Sequence, residues 1–151
     1  MATNESPTIG AQVWQLSMRW RAAVDKAVAP HGLTHAKYSA LASLYGHSFR
    51  SPDAPPSQRE LAEIAGLDSV YVSKLMSSLE RDGFIVRSPH PHDSRAVQLT
   101  LTPEGIAAIE PAVAAVHELH NTLLAPLGGP RSKRSAELKA LLQPLLDNPL
   151  I

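Results

Sequence analysis

The fold of this chain is set by residues 68–83, DSVYVSKLMSSLERDG. At about 100° per residue, a helical period puts the apolar side chains of this run on one side. Asp68 can cap the first turn, and Gly83 can take the left-handed conformation that ends the last one. The outward side is rich in hydroxyl groups, which suits the DNA major groove better than simple exposure to water. We predict an inward face of Val72, Leu75, Met76 and Leu79 and an outward face of Val70, Ser73, Lys74 and Ser77.

A shorter helix is predicted before this run. It begins with SQRE, residues 57–60, in which the serine and the glutamate can each accept a hydrogen bond from the other's backbone amide. Such a capping box marks a helix start, and one apolar stripe follows it. Residues 66–67, Gly-Leu, leave room only for a sharp turn. The two helices together therefore predict a helix-turn-helix.

A β-hairpin is predicted directly after the second helix. Residues 84–87, FIVR, have the composition of a strand, and residues 88–94 form a loop that contains Pro89 and Pro91. In residues 96–102, apolar and polar side chains alternate, as they do in a half-buried strand. A hairpin in this position after a helix-turn-helix is a wing.

Several of these segments resemble the MarR family of winged helix-turn-helix transcriptional regulators. They are ELA at residues 60–62, LERDGFIVR at residues 79–87, DSR at residues 93–95 and LTPEG at residues 101–105. The most specific feature is the Asp-x-Arg wing followed six residues later by Leu-Thr and then Gly. The resemblance covers nearly the whole chain. It implies a mostly α fold with a small β-hairpin wing, in which a winged helix-turn-helix is joined to an all-helical dimerisation region.

The flanking segments fit this arrangement. Helices are predicted for residues 8–29, 34–46, 103–127 and 132–146, with a proline-rich connector at residues 47–56 and a kink at Pro111. The resemblance implies that the connector holds a short strand paired with the wing. It also implies one MarR-like domain over residues 1–151, with dimerisation helices at residues 8–33 and 103–151 and a DNA-binding lobe at residues 34–102.

The resemblance also assigns the contacts to double-stranded DNA. The start of the first helix is expected to hold phosphates, and the second helix is expected to contact base edges and phosphates. Arg95, oriented by Asp93, is expected to enter or flank the minor groove. His90 and His92 stand where relatives more often carry Arg or Lys, so binding is expected to strengthen as the pH falls. The predicted DNA contacts are Ser57, Gln58, Arg59, Ser69, Val70, Tyr71, Ser73, Lys74, Ser77, Arg87, His90, His92, Asp93 and Arg95.

Composition limits the other possibilities. The net charge is zero, with 14 basic and 14 acidic residues, so we expect few phosphate contacts and a salt slope below about 8 for a dimer. The absence of cysteine excludes disulfides and thiolate metal sites. With neither a leader nor a long apolar run, we expect a cytoplasmic protein without a membrane partner. No catalytic motif is present, so we expect no enzyme activity and no cofactor.

The sequence leaves a small-molecule effector and two alternatives open. Relatives bind aromatic acids or phenolic compounds in an apolar pocket, and the residues that would form it here are Trp14, Met18, Arg21, Tyr38, Tyr45 and His117. The same residues are equally compatible with a core or an interface. A zinc-responsive regulator would use His117, His120, His31 and His35, but no matching carboxylate is evident. The other alternative is a winged helix that serves only protein association. We expect a homodimeric repressor of a pseudo-palindromic operator, released by an aromatic or phenolic ligand.

Overall fold

The computed structural model describes residues 6–150 and contains six α-helices and one antiparallel hairpin within them. Residues 1–5 and 151 lie outside this range. The predicted class, mostly α with a small β-hairpin, is confirmed. The elements are α1 (Ile9–Val28), α2 (His35–Arg50), α3 (Gln58–Ala65), α4 (Ser69–Arg81), β1 (Ile85–Pro89), β2 (Val97–Leu101), α5 (Pro103–Leu123) and α6 (Lys133–Leu146), with short 3-10 turns at Ala29–His31 and Ala125–Leu127.

The chain divides into two compact units, and the boundary falls inside α5. The first unit reaches Val113, and the second runs from Ala114 onward. The predicted division into a DNA-binding lobe at residues 34–102 and dimerisation helices at residues 8–33 and 103–151 stays a prediction. None of the helices between residues 6 and 150 is both long enough and apolar enough to cross a membrane.

The ends of α3 and α4 are fixed by the predicted side chains. Ser57 Oγ accepts a hydrogen bond from the Glu60 amide (3.1 Å), and the Glu60 carboxylate accepts one from the Ser57 amide (3.3 Å). Asp68 Oδ1 accepts from the amides of residues 70 and 71 at 2.9 and 3.1 Å. Gly66 and Gly83 have φ values of 65° and 80°, which only glycine adopts without strain. The helix-turn-helix is therefore confirmed with the predicted boundaries.

The second helix is longer than predicted. Gly46 was expected to end it, but α2 continues to Arg50 and closes with a hydrogen bond from the Ser51 amide to the His47 carbonyl (2.9 Å). A glycine inside a helix costs only about 1 kcal/mol, so it does not by itself end a helix. The connector shortens to residues 51–57. Its implied strand is reduced to a single bridge between Ser57 and Gln98, because the prolines before Ser57 have no amide to donate.

The hairpin pairs Ile85 with Leu101 at its base and Pro89 with Val97 at its far end. β1 therefore begins one residue later than predicted and runs into the segment that was expected to be loop. Pro89 is tolerated because it is the last strand residue, and the next ladder bond comes from the His90 amide to the Ala96 carbonyl (3.0 Å). Of the apolar residues predicted to face inward in β2, Leu99 is fully buried and Leu101 is half-buried, whereas Val97 at the far end of the hairpin is 37% exposed.

The core of the first unit is formed by the ends of α1 and α2 that face α3 and α4, together with the hairpin and the first half of α5. The predicted inward face of α4 is confirmed, since all four of its side chains are at most 8% exposed. Burial of one such side chain contributes about 1.5–3 kcal/mol, so this face fixes how α4 is seated. The largest fully buried core side chains of this unit include Leu41, Leu61, Met76, Leu79, Ile85, Leu99 and Ile109.

The second unit contains the end of α5, a turn and α6. Gly128 and Gly129 both have positive φ values and carry the turn. Ser132 caps α6 by accepting from the Ser135 amide (3.1 Å), and the Ser135 hydroxyl donates to the Gly129 carbonyl (2.7 Å). The predicted last helix is confirmed. Pro111 lies within α5, as predicted, in the first unit.

Candidate nucleic-acid interface

The outward face of α4 is not covered by protein. Val70 is 63% exposed, Tyr71 is 46% exposed, and Lys74 is also exposed. Ser73 and Ser77 are half-buried, and the Ser77 hydroxyl donates to the Ser73 carbonyl at 3.0 Å. The seated inner face holds the helix rigidly while this outer surface stays open. The geometry is that of a helix available for insertion into a groove.

The start of α3 contributes a second part of the surface. Arg59 is exposed, whereas Ser57 is only 8% exposed and uses its hydroxyl to cap the helix. The structure thus gives Ser57 a local structural role, and its predicted DNA contact stays a prediction. The free amides at a helix start attract anions, so Arg59 stands at a suitable position for a phosphate.

An open groove of about 700 Å³ separates the start of α3 from the wing. Arg95 is exposed and lines this groove, and its guanidinium forms no ion pair among residues 6–150. Asp93 Oδ1 accepts a hydrogen bond from the Arg95 backbone amide (3.0 Å). The aspartate therefore orders the wing backbone and leaves the arginine side chain available. Gln58, Arg59, Ser69, His90, Asp93 and Arg95, all predicted DNA contacts, line the same groove.

The groove also contains carboxylates that oppose phosphate. Glu60 and Glu63 line it beside Arg59. Arg59 Nε lies 3.4 Å from Glu63 Oε1, and both side chains are more than two-thirds exposed. Such a pair contributes only about 0–1 kcal/mol, so Arg59 can exchange Glu63 for a phosphate at little cost. The surface is close to electroneutral, in agreement with the composition.

The two histidines of the wing form a turn of their own. His90 Nδ1 accepts a hydrogen bond from the His92 amide (3.1 Å), and the two rings meet edge to face with centroids 6.1 Å apart. This bond requires Nδ1 to be unprotonated.

Arg87 holds the wing to the end of α4. Its Nε and Nη2 lie 3.3 and 3.0 Å from Glu80 Oε1, and its backbone amide donates to Glu80 Oε2 at 3.1 Å. These hydrogen bonds lower the pKa of the Glu80 carboxyl below its ordinary value. The structure places the Arg87 guanidinium in this junction, and its predicted DNA contact stays a prediction.

The first turn of α5 is pressed against the same junction. The Thr102 hydroxyl donates to the Gly83 carbonyl (2.6 Å), and the Thr102 amide donates to the Phe84 carbonyl (3.0 Å). A Cβ atom on Gly105 would lie 2.0 Å from the Phe84 oxygen. A further ion pair joins Lys37 Nζ in α2 to Asp82 Oδ2 (2.6 Å). This close approach at Gly105 cannot be predicted from the sequence, in which the only signal is the position of the glycine after Thr-Pro-Glu.

Five of the six predicted effector residues lie on α1 and α2 in the first unit. On α1, Trp14 is 68% and Met18 is 50% exposed, and Arg21 is exposed as well. Tyr38 and Tyr45 are half-buried on α2, but neither they nor the α1 residues line the groove beside the wing. His117 belongs to the second unit. The proposed pocket therefore stays a prediction.

Tyr45 joins α2 to α5. Its hydroxyl donates to Glu110 Oε1 on α5 (2.9 Å), and this hydrogen bond, with some burial and the carboxylate charge, raises the pKa of Tyr45. Burial raises the pKa of Tyr38.

In the second unit, burial and the nearby His117 lower the pKa of His120. No group of three or more His, Asp or Glu side chains within residues 6–150 is placed to share a metal ion, so the zinc alternative gains no support.

Comparison with known proteins gives the family. The sequence model described as MarR family matches residues 31–96. The uncharacterized HTH-type transcriptional regulator YdcH of Bacillus subtilis (strain 168) is 32% identical over 125 residues, or 81% of this chain and 80% of YdcH. The chain belongs to the MarR family.

A further relative and a solved structure are also similar to this MarR-family chain. The HTH-type transcriptional repressor YetL of the same Bacillus subtilis strain is 30% identical over 98 residues, covering 65% of this chain and 56% of YetL. The crystal structure of a mutant MarR from E. coli, complexed with operator DNA, superposes with a TM-score of 0.80 at 24% identity, over 91% of this chain and 93% of that one. At that identity the superposition establishes the shared fold. The recognised MarR-family winged helix agrees with the resemblance drawn from the wing motif.

Proposed function

We propose that this chain is a transcriptional repressor that binds a pseudo-palindromic operator as a homodimer. In this proposal, α4 is the recognition helix in the major groove, and the wing carries Arg95 to the minor groove. The two recognition helices of a dimer would enter major grooves one helical turn apart, about 34–36 Å. The similarity to the repressor YetL supports repression rather than activation, and the MarR structure with operator DNA supports DNA as the partner.

The proposal rests on two exposed surfaces of the same compact unit, the outer face of α4 and the wing at Arg95. The outer face of α4 is open at Val70, Tyr71 and Lys74, and the Arg95 guanidinium is unpaired among residues 6–150. Both surfaces belong to the first unit, whose core buries the inner faces of the same elements. A winged helix used only for protein association has no need of an unpaired arginine beside the start of a helix. DNA is the partner that this arrangement fits best.

The homodimer is supported by apolar side chains on helices at both ends of the chain. On α1, Ile9, Val13, Trp14, Leu16 and Met18 are all between 47% and 74% exposed. On α6, Leu141 and Leu146 are each 71% exposed, and Leu142 and Leu145 are exposed as well. Contiguous exposed apolar surfaces on a folded protein mark interaction sites, and a second copy of the chain is the simplest partner. Sedimentation equilibrium tests this: a monomer at micromolar concentration contradicts it.

Release by an aromatic or phenolic ligand is the remaining part of the proposal. Tyr38 and Tyr45, together with the α1 residues Trp14, Met18 and Arg21, would line the site, and the ligand would alter the separation of the two DNA-binding lobes. The coupling expected for such a switch is about 1–3 kcal/mol. A thermal-shift screen of aromatic acids and phenols, followed by competition against bound DNA, tests it. Ligands that stabilise the protein but leave DNA affinity unchanged contradict it.

The DNA-binding proposal is tested by fluorescence anisotropy with DNA from upstream of the protein's own gene. We expect a specific complex, and we expect Arg95→Ala to weaken it by about tenfold or more. Arg131→Ala is the matched control because it removes the same charge from an exposed site in the second unit. Equal effects of the two variants would mean that the wing arginine contributes only through net charge. Absence of any specific complex rejects the proposal.

The salt dependence gives an independent measurement. The groove beside α3 holds three carboxylates, from Glu60, Glu63 and Asp93, against the two arginines. Few phosphates are therefore neutralised, and since each contributes roughly 0.9 to the slope of log affinity on log salt, we expect a slope below about 8 for the dimer. A steeper slope would require cations that this surface lacks.

A further inference from the structure

One side chain on the outward face of α4 differs in chemistry from its neighbours. Val70 is apolar, whereas the rest of that face consists of the hydroxyl groups of Ser73 and Ser77 and the ammonium group of Lys74. Val70 is also 63% exposed, more than any other large apolar side chain of α3, α4 or the hairpin. Core packing does not explain a valine at this position, and neither does helix propensity, since valine is one of the weaker helix formers.

Val70 points directly away from the core. At about 100° per residue, it lies about 170° around α4 from the middle of the buried face, whereas Lys74 and Ser77 lie about 150° from it. Val70 also belongs to the first turn of α4, and a recognition helix contacts base edges with its N-terminal residues. A duplex that receives α4 in its major groove therefore meets this side chain at the base edges.

The first turn of α4 holds Val70 in place. Asp68 Oδ1 accepts a hydrogen bond from the Val70 amide at 2.9 Å, and the Asp68 carbonyl accepts one from the Val72 amide at 2.9 Å. A valine side chain in a helix also strongly prefers one χ1 rotamer. The isopropyl group is thus ordered before DNA binds, so a contact with it costs little conformational entropy.

Small side chains beside Val70 allow α4 to come close to the base edges. Ser73 and Ser77 are half-buried, and the Ser77 hydroxyl turns back to donate to the Ser73 carbonyl at 3.0 Å. A valine is short, so it reaches a base only if its neighbours do not hold the helix away from the groove. The two serines satisfy this condition.

Thymine is the base that offers this side chain a matching surface. Every base presents hydrogen-bonding groups in the major groove, but only thymine adds a C5 methyl group. An isopropyl group pressed against a donor or acceptor displaces water without replacing its hydrogen bond, which is unfavourable. Against a methyl group, it buries apolar surface on both sides.

We propose that Val70 selects a thymine in each operator half-site by packing against its C5 methyl group. The proposal rests on the DNA binding proposed above and adds a base preference to it.

The test replaces thymines of the operator by 2′-deoxyuridine, which lacks only the methyl group. Fluorescence anisotropy measures binding of the full chain to duplexes with one replacement at a time in one half-site. At one thymine we expect the dissociation constant to rise about fourfold, the effect of removing one methyl group from an apolar contact. A specific complex that tolerates uracil at every thymine would overturn this proposal and leave the proposed DNA binding intact. Absence of a specific complex with the unmodified operator would overturn both.

Val70→Ala assigns the methyl contact to this side chain. We expect the variant to bind the operator more weakly than wild type and to bind the thymine and uracil duplexes equally well. Val86→Ala is the matched control, because Val86 is 51% exposed on β1 and is not a predicted DNA contact; we expect it to retain the preference for thymine. An undiminished preference in Val70→Ala would assign the methyl group to another side chain and overturn the proposal.

A second variant covers the case in which Val70→Ala binds too weakly to be measured or does not fold. Val70→Thr keeps the branched shape but replaces one methyl group by a hydroxyl. We expect it to show a smaller difference between thymine and uracil than wild type. A difference as large as that of wild type would overturn the proposal.

Discussion

Two effects on stability oppose each other when Gly105 is replaced by alanine: a gain in helix propensity and a steric clash. Gly105 lies in the first turn of α5, where helix propensity alone favours alanine by about 1 kcal/mol. Its new Cβ atom, however, would lie 2.0 Å from the Phe84 oxygen, and Cβ contacts below 3.0 Å essentially do not occur. Because the obstacle is a backbone carbonyl rather than a flexible side chain, the first turn of α5 must retreat by at least about 1 Å.

That retreat breaks the hydrogen bonds that join the start of α5 to the residues at the end of α4. The bonds from the Thr102 hydroxyl to the Gly83 carbonyl and from the Thr102 amide to the Phe84 carbonyl are 2.6 and 3.0 Å long, so a 1 Å shift takes both beyond hydrogen-bonding distance. Their loss costs about 1–3 kcal/mol together, and the strain of overpacking adds about 1–3 kcal/mol. After subtracting the gain in helix propensity, we expect Gly105→Ala to lower the free energy of unfolding by about 3 kcal/mol.

The assay is thermal unfolding at one fixed protein concentration, because a dimer's Tm depends on concentration. For a chain of this length, about 3 kcal/mol corresponds to a fall in Tm of roughly 6–12 °C. Gly46→Ala is the matched control. Gly46 lies within α2, and its Cβ would meet only the flexible end of Arg50 at 3.4 Å, so we expect a gain of about 0.5–1 kcal/mol. A rise in Tm for both variants would show that α5 does not press against the junction.

Two further changes test the interface. The hydrogen bonds from Arg87 hold the pKa of the Glu80 carboxyl below its ordinary 4.5. The ionised carboxylate therefore stabilises the fold above pH 4.5, and this contribution is lost as the pH falls through the lower pKa of the folded state. Between about pH 5 and about pH 3, we expect the urea midpoint to fall more for wild type than for Glu80→Gln. Glu63→Gln is expected to strengthen operator binding by roughly two- to fivefold, while Glu137→Gln, exposed on α6, leaves it unchanged; equal gains would point to net charge alone.

Local patterns predicted the elements whose ends are fixed by their own side chains. The capping box at residues 57–60, the Asp68 cap and the left-handed Gly83 all involve groups within a few residues of each other, so the sequence alone contains the whole interaction. The inner face of α4 was predictable for the same reason, because helical periodicity is a local property. The predicted outer face is its complement.

The remaining features depend on partners distant in sequence or on competing local signals. Glu80 and Arg87 meet only because the hairpin folds back over the last turn of α4, and no spacing rule relates them. Gly105 requires knowledge of where the Phe84 carbonyl lies. Gly46 was predicted to end α2, but the helix continues to Arg50 because the backbone hydrogen bonds of the following turn outweigh the low helix propensity of glycine.

The near-neutral charge of the surface makes the geometry of this junction more important for DNA binding than it would be in a basic protein. A strongly basic surface tolerates displacement, because its attraction to phosphate acts over a Debye length of about 8–10 Å. Here Arg59 and Arg95 share their groove with three carboxylates, so affinity must come from short-range contacts, which a displacement of about 1 Å already loses. Thr102 and Gly105 hold the start of α5 against the end of α4, and the Glu80–Arg87 pair joins the wing to α4. We therefore infer that loosening this junction weakens operator binding more than removing any single exposed cation outside the groove, although none of its bonds involves DNA.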